Sequence, residues 1–231
     1  THCTEADVTE QHIKLARDLG MFTVGYIVSC GMAGRDRVAE EARKMESYGA
    51  SYINLAESQG HLVPSEVAKL VSTVKSAVKV PVGFHAHNNL GCAIGNTLAA
   101  VEAGASYVDG SLKGFGGGAG NAQTEVLVAA LKRADLPVNA DMFGIMDAAE
   151  VFASMTKNTP MPCIDNDSII MGFANVYGGY VLKIKKAAEQ YGCNPRDLVL
   201  RLGERKVVAM QEDVVIEEAI RLASAQRSRP A

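Results

Sequence analysis

The chain has 231 residues, 48% hydrophobic and 21% charged, with a formal net charge of −3. That balance is ordinary for a globular protein with one sizeable core. It excludes a strongly basic nucleic-acid binder, since no Lys/Arg run stands out, and no apolar stretch approaches the length of a membrane span, about 20 residues. Five scattered cysteines, Cys3, Cys30, Cys92, Cys163 and Cys193, show no C-x-x-C spacing. They are expected to be free, buried thiols in a reducing cytoplasm.

In chain order, Thr1-His2-Cys3-Thr4-Glu5-Ala6-Asp7 does not resemble a signal peptide. It reads like a loop after a strand, so a truncated or processed chain is expected. Glu10 to Leu19, opened by Thr9, has helical spacing, and Phe22 to Val28 reads as a strand after Gly20. Arg35 to Tyr48 is the next helix. A weak repeat then appears: Gly49-Ala50-Ser51-Tyr52-Ile53 recurs as Gly104-Ala105-Ser106-Tyr107-Val108, each copy following a helix and opening an apolar strand. Between the copies lie a helix over Ser65 to Ala77, with Ser65 as N-cap after Pro64, a strand over Val80 to Ala86 and a helix over Gly95 to Ala103. Gln123 to Arg133 completes the series. Alternating helix and strand, with strands apolar on nearly every position, is the pattern of consecutive parallel βα units. There are four whole strands and a stump before Cys3. The pattern fits either an open doubly wound sheet or the second half of a (β/α)₈ barrel.

After Pro137 the pattern becomes helical: Asn139 to Lys157, Ser168 to Tyr191, Asn194 to Gly203 and Glu212 to Gln226. Asn194-Pro195 is an N-cap followed by proline at the first helical position. Ser224 to Ala231 is expected to be a frayed tail.

Three segments at strand ends carry the chemistry. Gly83-Phe84-His85-Ala86-His87-Asn88-Asn89 places His85 and His87 two apart at the end of a strand. In extended chain they point to the same side, where two imidazoles can share one divalent metal. The plainer reading is a pair of hydrogen-bonded core histidines. Gly114-Phe115-Gly116-Gly117-Gly118-Ala119-Gly120-Asn121-Ala122 lies between a strand and a helix, where backbone amides can approach an anion, or where a tight turn simply needs glycine. Ala56-Glu57-Ser58-Gln59-Gly60 offers a hydroxyl and amides for a carboxylate, or only a polar loop.

Together His85-Ala86-His87-Asn88, Val101-Glu102-Ala103-Gly104-Ala105 and Gly118-Ala119-Gly120-Asn121-Ala122 resemble the metal-binding half of the superfamily of 3-hydroxy-3-methylglutaryl-CoA lyases, 2-isopropylmalate synthases and pyruvate-dependent aldolases. Thr1 to Asp7, Met45 to Ala50, Met146-Asp147-Ala148-Ala149 and Gln211-Glu212-Asp213 are similar to the 4-hydroxy-2-oxovalerate aldolase family within it, and the resemblance runs through nearly the whole chain. The glycine-rich loop lacks the cysteine of the CoA lyases, and Gly117-Gly118 stands where the synthases have Glu-Arg.

The resemblance implies the C-terminal half of a (β/α)₈ barrel over 1–136, then an all-helical communication domain over 137–231. It implies a Mn²⁺-dependent retro-aldol cleavage of a 4-hydroxy-2-oxoacid to pyruvate and an aldehyde, other divalent metals being alternatives. By position, His85 and His87 match the metal histidines, and Ser58 matches a serine near the substrate carboxylate. Tyr177 matches a tyrosine lent to the site by the helical domain, and Asn121 an asparagine that ligates metal in the synthases. The family's first strand, which carries an aspartate, an arginine and a histidine base, has no counterpart here, so these residues alone are expected to lack substantial aldolase activity. Expected partners are an acylating acetaldehyde dehydrogenase and further copies of the enzyme, with no nucleic acid or membrane. Glu57 and Gln59 stand where the family has aspartate and glycine. Alternatives are a Claisen-type synthase, a barrel-completing subunit without activity, and a metal-free aldolase using Lys113.

Overall fold

A computed structural model describes residues 1–206 and 212–227. Nine helices and four strands account for the sequence up to 206: α1 (Glu10–Asp18), β1 (Val24–Val28), α2 (Arg35–Ser47), β2 (Tyr52–Glu57), α3 (Pro64–Ala77), β3 (Val82–Ala86), α4 (Ala93–Glu102), β4 (Tyr107–Val108), α5 (Thr124–Arg133), α6 (Met142–Met155), α7 (Asn166–Phe173), α8 (Val181–Tyr191) and α9 (Pro195–Glu204). Helix α10 covers Glu212–Arg227. Ser224 is therefore helical rather than frayed. The remainder of the expected tail, residues 228–231, lies outside the described residues, as does Gln211.

The strands pair in parallel in the order β1-β2-β3-β4. Sequential order without a reversal decides between the two architectures. A doubly wound sheet changes direction at a switch point, whereas successive right-handed βα units that keep one direction lay their helices along one face and curl into a barrel. Neighbouring helices α2, α3, α4 and α5 contact one another in turn along that face. The βα part is half of a (β/α)₈ barrel. The stump before Cys3 is present too, since His2 bridges Val28 in parallel and the Thr1 carbonyl accepts from the Val28 amide at 2.8 Å.

Register explains which residues look outward. Gly25 pairs with Ile53, and Ile53 with Val82. Ile27, Ile53, Leu55, Phe84 and Met45 are shut off from solvent in the layer between sheet and helices, each burial contributing roughly 1.5–3 kcal/mol. The opposite face carries Tyr26, Asn54, Gly83 and Tyr107 in one row. The repeated sequence puts Tyr52 and Tyr107 at equivalent places there, and their rings stack with centroids 4.4 Å apart. Gly83 makes room: a Cβ on it would lie 2.3 Å from the Asn54 side-chain oxygen and 3.0 Å from the Tyr52 ring.

Two helix starts and one long helix differ from the sequence reading. Ser65 does not cap α3. Pro64 occupies the first turn, and the Glu66 carboxylate reaches back to accept from the Val63 amide at 3.1 Å. Helix α6 starts at Met142 rather than Asn139, capped by the Asp141 carboxylate, which accepts from Phe143 and Gly144. Asn194 caps α9 as expected, accepting from Arg196 at 2.8 Å. The single helix expected over Ser168 to Tyr191 is two, α7 and α8, separated by Asn175 at φ 55° and a short 3-10 turn at Gly178–Tyr180. Asn175 takes that left-handed conformation while its amide donates to the Gly31 carbonyl at 3.1 Å, and two glycines follow. The break lets the chain turn across the barrel end.

The helical region has its own core, in which Met171, Val176, Ile184, Leu198 and Leu202 are buried. Helix α6 packs instead on α5, with Phe152 set against Phe115 at 5.4 Å. Cys3, Cys30 and Cys193 are buried and free, while Cys163 is exposed, against expectation, in the loop after α6. Among the described residues no helix is long and apolar enough to cross a membrane.

Candidate active site

Strand β3 ends at Ala86, and His85 and His87 project from its C-terminal end on the same side. Their ring centroids are 5.0 Å apart, edge to face. A ring nitrogen about 2.1 Å from a shared divalent ion puts each centroid roughly 3.2 Å from it, and angles near 90–109° then separate the centroids by roughly 4.5–5.2 Å. The observed spacing fits.

Each imidazole also has its Nδ1 engaged. His87 Nδ1–H donates to the Glu57 carbonyl at 3.0 Å, and His85 Nδ1–H donates to the Asp109 carboxylate. A carbonyl or carboxylate can only accept, so Nδ1 carries a proton in both rings, and a neutral ring in that tautomer offers its Nε2 lone pair. Burial, helped by the neighbouring His85 ring, lowers the His87 pKa against the Glu57 carbonyl and Asp109, favouring the neutral imidazole a metal requires.

The glycine-rich loop folds back onto this strand end. Asn88 donates its amide to the Gly120 carbonyl at 2.9 Å, Ala122 donates to Ala86 at 3.1 Å, and His87 bridges Asn121. The Asn121 amide nitrogen donates to Ser111 Oγ at 3.4 Å and to the Phe115 carbonyl at 3.3 Å. That fixes the orientation of the side chain and leaves its Oδ1 buried without a hydrogen-bond partner. An unpartnered buried carbonyl oxygen, on the residue that bridges His87, suits a cation. Among the described residues no three His, Cys, Asp or Glu side chains are grouped to hold a metal ion.

Ser58 lies one residue beyond β2. Its hydroxyl accepts from the Ser29 amide at 2.9 Å and faces the Ala56 carbonyl at 3.4 Å, joining the ends of β1 and β2. Glu57 is fully buried, and burial pushes its carboxyl up to about 7 against the amides of His61, Gln59, Leu62 and Gly60. Lys113 stands at φ 55°, its ammonium 3.5 Å from Glu150 of α6. Tyr177 precedes the 3-10 turn, 45% exposed, its ring 6.2 Å from that of Tyr180. Its neighbour Gly178 lines a cleft of about 300 Å³ with Asn89, Gly116, Gly118 and Ser168. Thus His85, His87 and Asn121 come together, Ser58 is at the adjacent strand end, and Tyr177 belongs to the segment that walls the cleft.

Sequence reasoning missed the bolts that hold that segment. His61 Nδ1–H donates to the Gly172 carbonyl at 2.7 Å, and Asn89 donates to the Ser168 carbonyl at 3.1 Å. Backbones meet here: a Cβ on Gly172 would lie 2.9 Å from Asn89 Cβ, and one on Gly60 only 2.5 Å from the Asn89 nitrogen. Asp109 was also missed. An acidic residue ending an apolar strand, next to the strand ending in two histidines, was the available signal.

The family model described as HMGL-like matches residues 3–152, and the DmpG-like communication domain matches residues 162–224. The 4-hydroxy-2-oxovalerate aldolase of Pelotomaculum thermopropionicum is 48% identical over 229 residues, covering 99% of this chain and 67% of that protein. The chain belongs to the 4-hydroxy-2-oxovalerate aldolase family. Another member, from Chloroflexus aggregans, is 49% identical over 96% of this chain and 64% of its own length, so the chain spans about two thirds of these aldolases. Two solved structures show the shared fold. The carboxyl transferase domain of Rhizobium etli pyruvate carboxylase with pyruvate has a TM-score of 0.76 at 16% identity, over 97% of this chain and 41% of that one. The HMG-CoA lyase of Bacillus subtilis has a TM-score of 0.62 at 20% identity, over 71% and 58%. The aldolase family accounts for both halves of the chain, the βα units and the helices.

Proposed function

We propose that these residues form the metal-binding half of an aldolase that cleaves 4-hydroxy-2-oxovalerate, or a close 4-hydroxy-2-oxoacid, to pyruvate and an aldehyde such as acetaldehyde. The observation that carries the reading is the pair of histidines on one side of a strand end with Nδ1 engaged in each, beside Asn121, whose side-chain oxygen is unpartnered. His85 and His87 would hold a divalent ion, Mn²⁺ by preference, with Asn121 as an oxygen ligand. When bound, such an ion supplies Lewis-acid stabilisation of the charge that develops on the 2-oxo oxygen as the C3–C4 bond breaks. Ser58, with the amides at the end of β2, binds the substrate carboxylate. Tyr177, next to the cleft-lining Gly178, orients the substrate and excludes water. Removal of the 4-hydroxyl proton needs a base, which family resemblance places on a strand outside these residues.

The boundary between catalytic and helical parts is placed at 136/137, and the site of action in the cytoplasm. The helical part is the docking platform for an acylating aldehyde dehydrogenase within an oligomeric assembly. The match to a communication domain supports this, as do Phe173 and Leu182, which are 66% and 76% exposed. The test is pyruvate release from 4-hydroxy-2-oxovalerate by the full-length enzyme, before and after chelation and in His85→Ala and His87→Ala. Chelation and either substitution should abolish turnover. Undiminished turnover in both variants after chelation would overturn the metal assignment.

A further inference from the structure

One return loop serves both histidines. Residues 109–123 leave β4, pass through the glycines and come back, pinned where the Ser111 amide donates to Ala122 at 3.0 Å and Ser111 bridges Gln123. The pinning is close: a Cβ on Gly110 would lie 2.6 Å from the Ala122 carbonyl oxygen. The far end of the loop sets Asn121 beside His87. The near end holds Asp109, immediately after Val108, which is in register with Phe84 of β3, so Asp109 stands opposite His85. Two aromatic rings flank His85, Tyr26 at 6.4 Å and His87 at 5.0 Å. Asp109 supplies its Nδ1 acceptor.

We propose that Asp109 is the positioning residue of this site: its carboxylate fixes the Nδ1–H tautomer and the ring orientation of His85, so that Nε2 faces the cation. The inference rests on the metal reading above for its purpose, but the tautomer it asserts belongs to the metal-free protein. The physical need is plain. Free imidazole protonates either nitrogen, and a ring with its proton on Nε2 cannot ligate through that atom. His87 meets the same need through the rigid Glu57 backbone carbonyl. His85, on the neighbouring face of the pair, depends on a side chain.

Long-range ¹H–¹⁵N spectra of the metal-free protein read the tautomer directly. His85 is expected as Nδ1–H in the wild type and in Asp109→Asn, whose amide oxygen still accepts, and as a mixture with Nε2–H in Asp109→Ala. Titration with Mn²⁺ alone should then show Asp109→Ala binding about 10–100-fold more weakly, with Asp109→Asn between it and the wild type. In a His85→Ala background, Asp109→Ala should change the residual Mn²⁺ affinity less than about twofold, because the ring it orients is gone. An Nε2–H His85 in the wild type overturns the inference without any variant. So does a loss of affinity in Asp109→Ala that persists undiminished without His85, which would make the carboxylate a ligand itself. A wild type that shows Nδ1–H but binds no Mn²⁺ would instead overturn the metal reading and leave the orientation standing.

Discussion

Glu41, in the middle of α2, and Glu57, at the end of β2, are equally shut off from solvent, yet the protein treats them in opposite ways. Glu41 receives the Ala6 amide at 2.6 Å, Lys44 at 2.8 Å and Arg37 at 2.8 Å. Burial pushes its carboxyl up, but these partners outweigh it and hold it below the usual range. Glu57 receives the His61 amide at 3.1 Å on one oxygen, and the other has no partner. The same division runs through the molecule. In α2 a buried charge is used to dock the chain's opening segment onto the helix. At the strand ends Glu57, Gln59 and Asn121 each keep a buried polar atom unpartnered, and Asn54 within β2, Asn96 in α4 and Asn175 between α7 and α8 do the same. Unsatisfied groups of this kind cost stability and concentrate where function is carried out.

Four substitutions press on that contrast. The largest effect should come from Gly60→Ala. Its φ of 58° is left-handed, its amide faces Glu57, and the new Cβ would meet the Asn89 nitrogen at 2.5 Å. A loss of about 4 kcal/mol is expected by denaturant unfolding; a loss under about 1 kcal/mol would mean that the strand-end loops yield easily and the contrast is false.

Glu57→Gln comes next, and its effect depends on pH. The carboxyl is raised from 4.5 to about 7 by burial, so in the unfolded chain it ionises first. Its stabilising contribution is whole below about 4.5 and is lost as pH rises through 7. Between pH 4 and pH 8 the wild type should lose roughly 3 kcal/mol that the variant retains. Parallel stability–pH curves would refute a raised Glu57.

Glu41→Gln should show the reverse sign at about 2 kcal/mol, measured at pH 7. The Glu41 pKa is depressed, so its contribution is present above the unfolded value and disappears as pH falls through the folded one. The deficit of the variant should shrink in acid. The smallest effect, about 1 kcal/mol, is expected for Asp165→Ala, which removes the N-cap of α7 at the Ser168 amide and hydroxyl. Because α7 carries Gly172, the loss should be accompanied by weaker protection of the Ser168 and Gly172 amides in hydrogen exchange.

The βα half was legible because its signals are local. Helical spacing placed α2 to within a residue, the glycine-led repeat marked where β2 and β4 open, and the i, i+2 rule put His85 and His87 on one side before any fold was known. The helical half was less so. The stretch from Ser168 to Tyr191 carries no charge before Lys183, and the turn that splits it is held by Gly31, far away in sequence, through Asn175. Long-range partners likewise hid His61 and Asp109. Neither residue type is unusual at its place; what gives each a role is an acceptor on another element. Ser58 was marked only as part of a polar strand-end loop, and Tyr177 was found through family resemblance alone, since nothing in its immediate neighbours marks it.

The tyrosine row on the open face of the sheet has a practical consequence. The chain has no tryptophan, seven tyrosines and six phenylalanines, so its near-ultraviolet spectrum belongs mainly to tyrosine. Tyr26, Tyr52 and Tyr107 share one face, two of them stacked in van der Waals contact over Gly83. Such a coupled pair produces circular dichroism that isolated rings do not. The molecule therefore carries a built-in optical label for that surface, and whatever comes to lie against it will be seen in the tyrosine band without a dye or a tag.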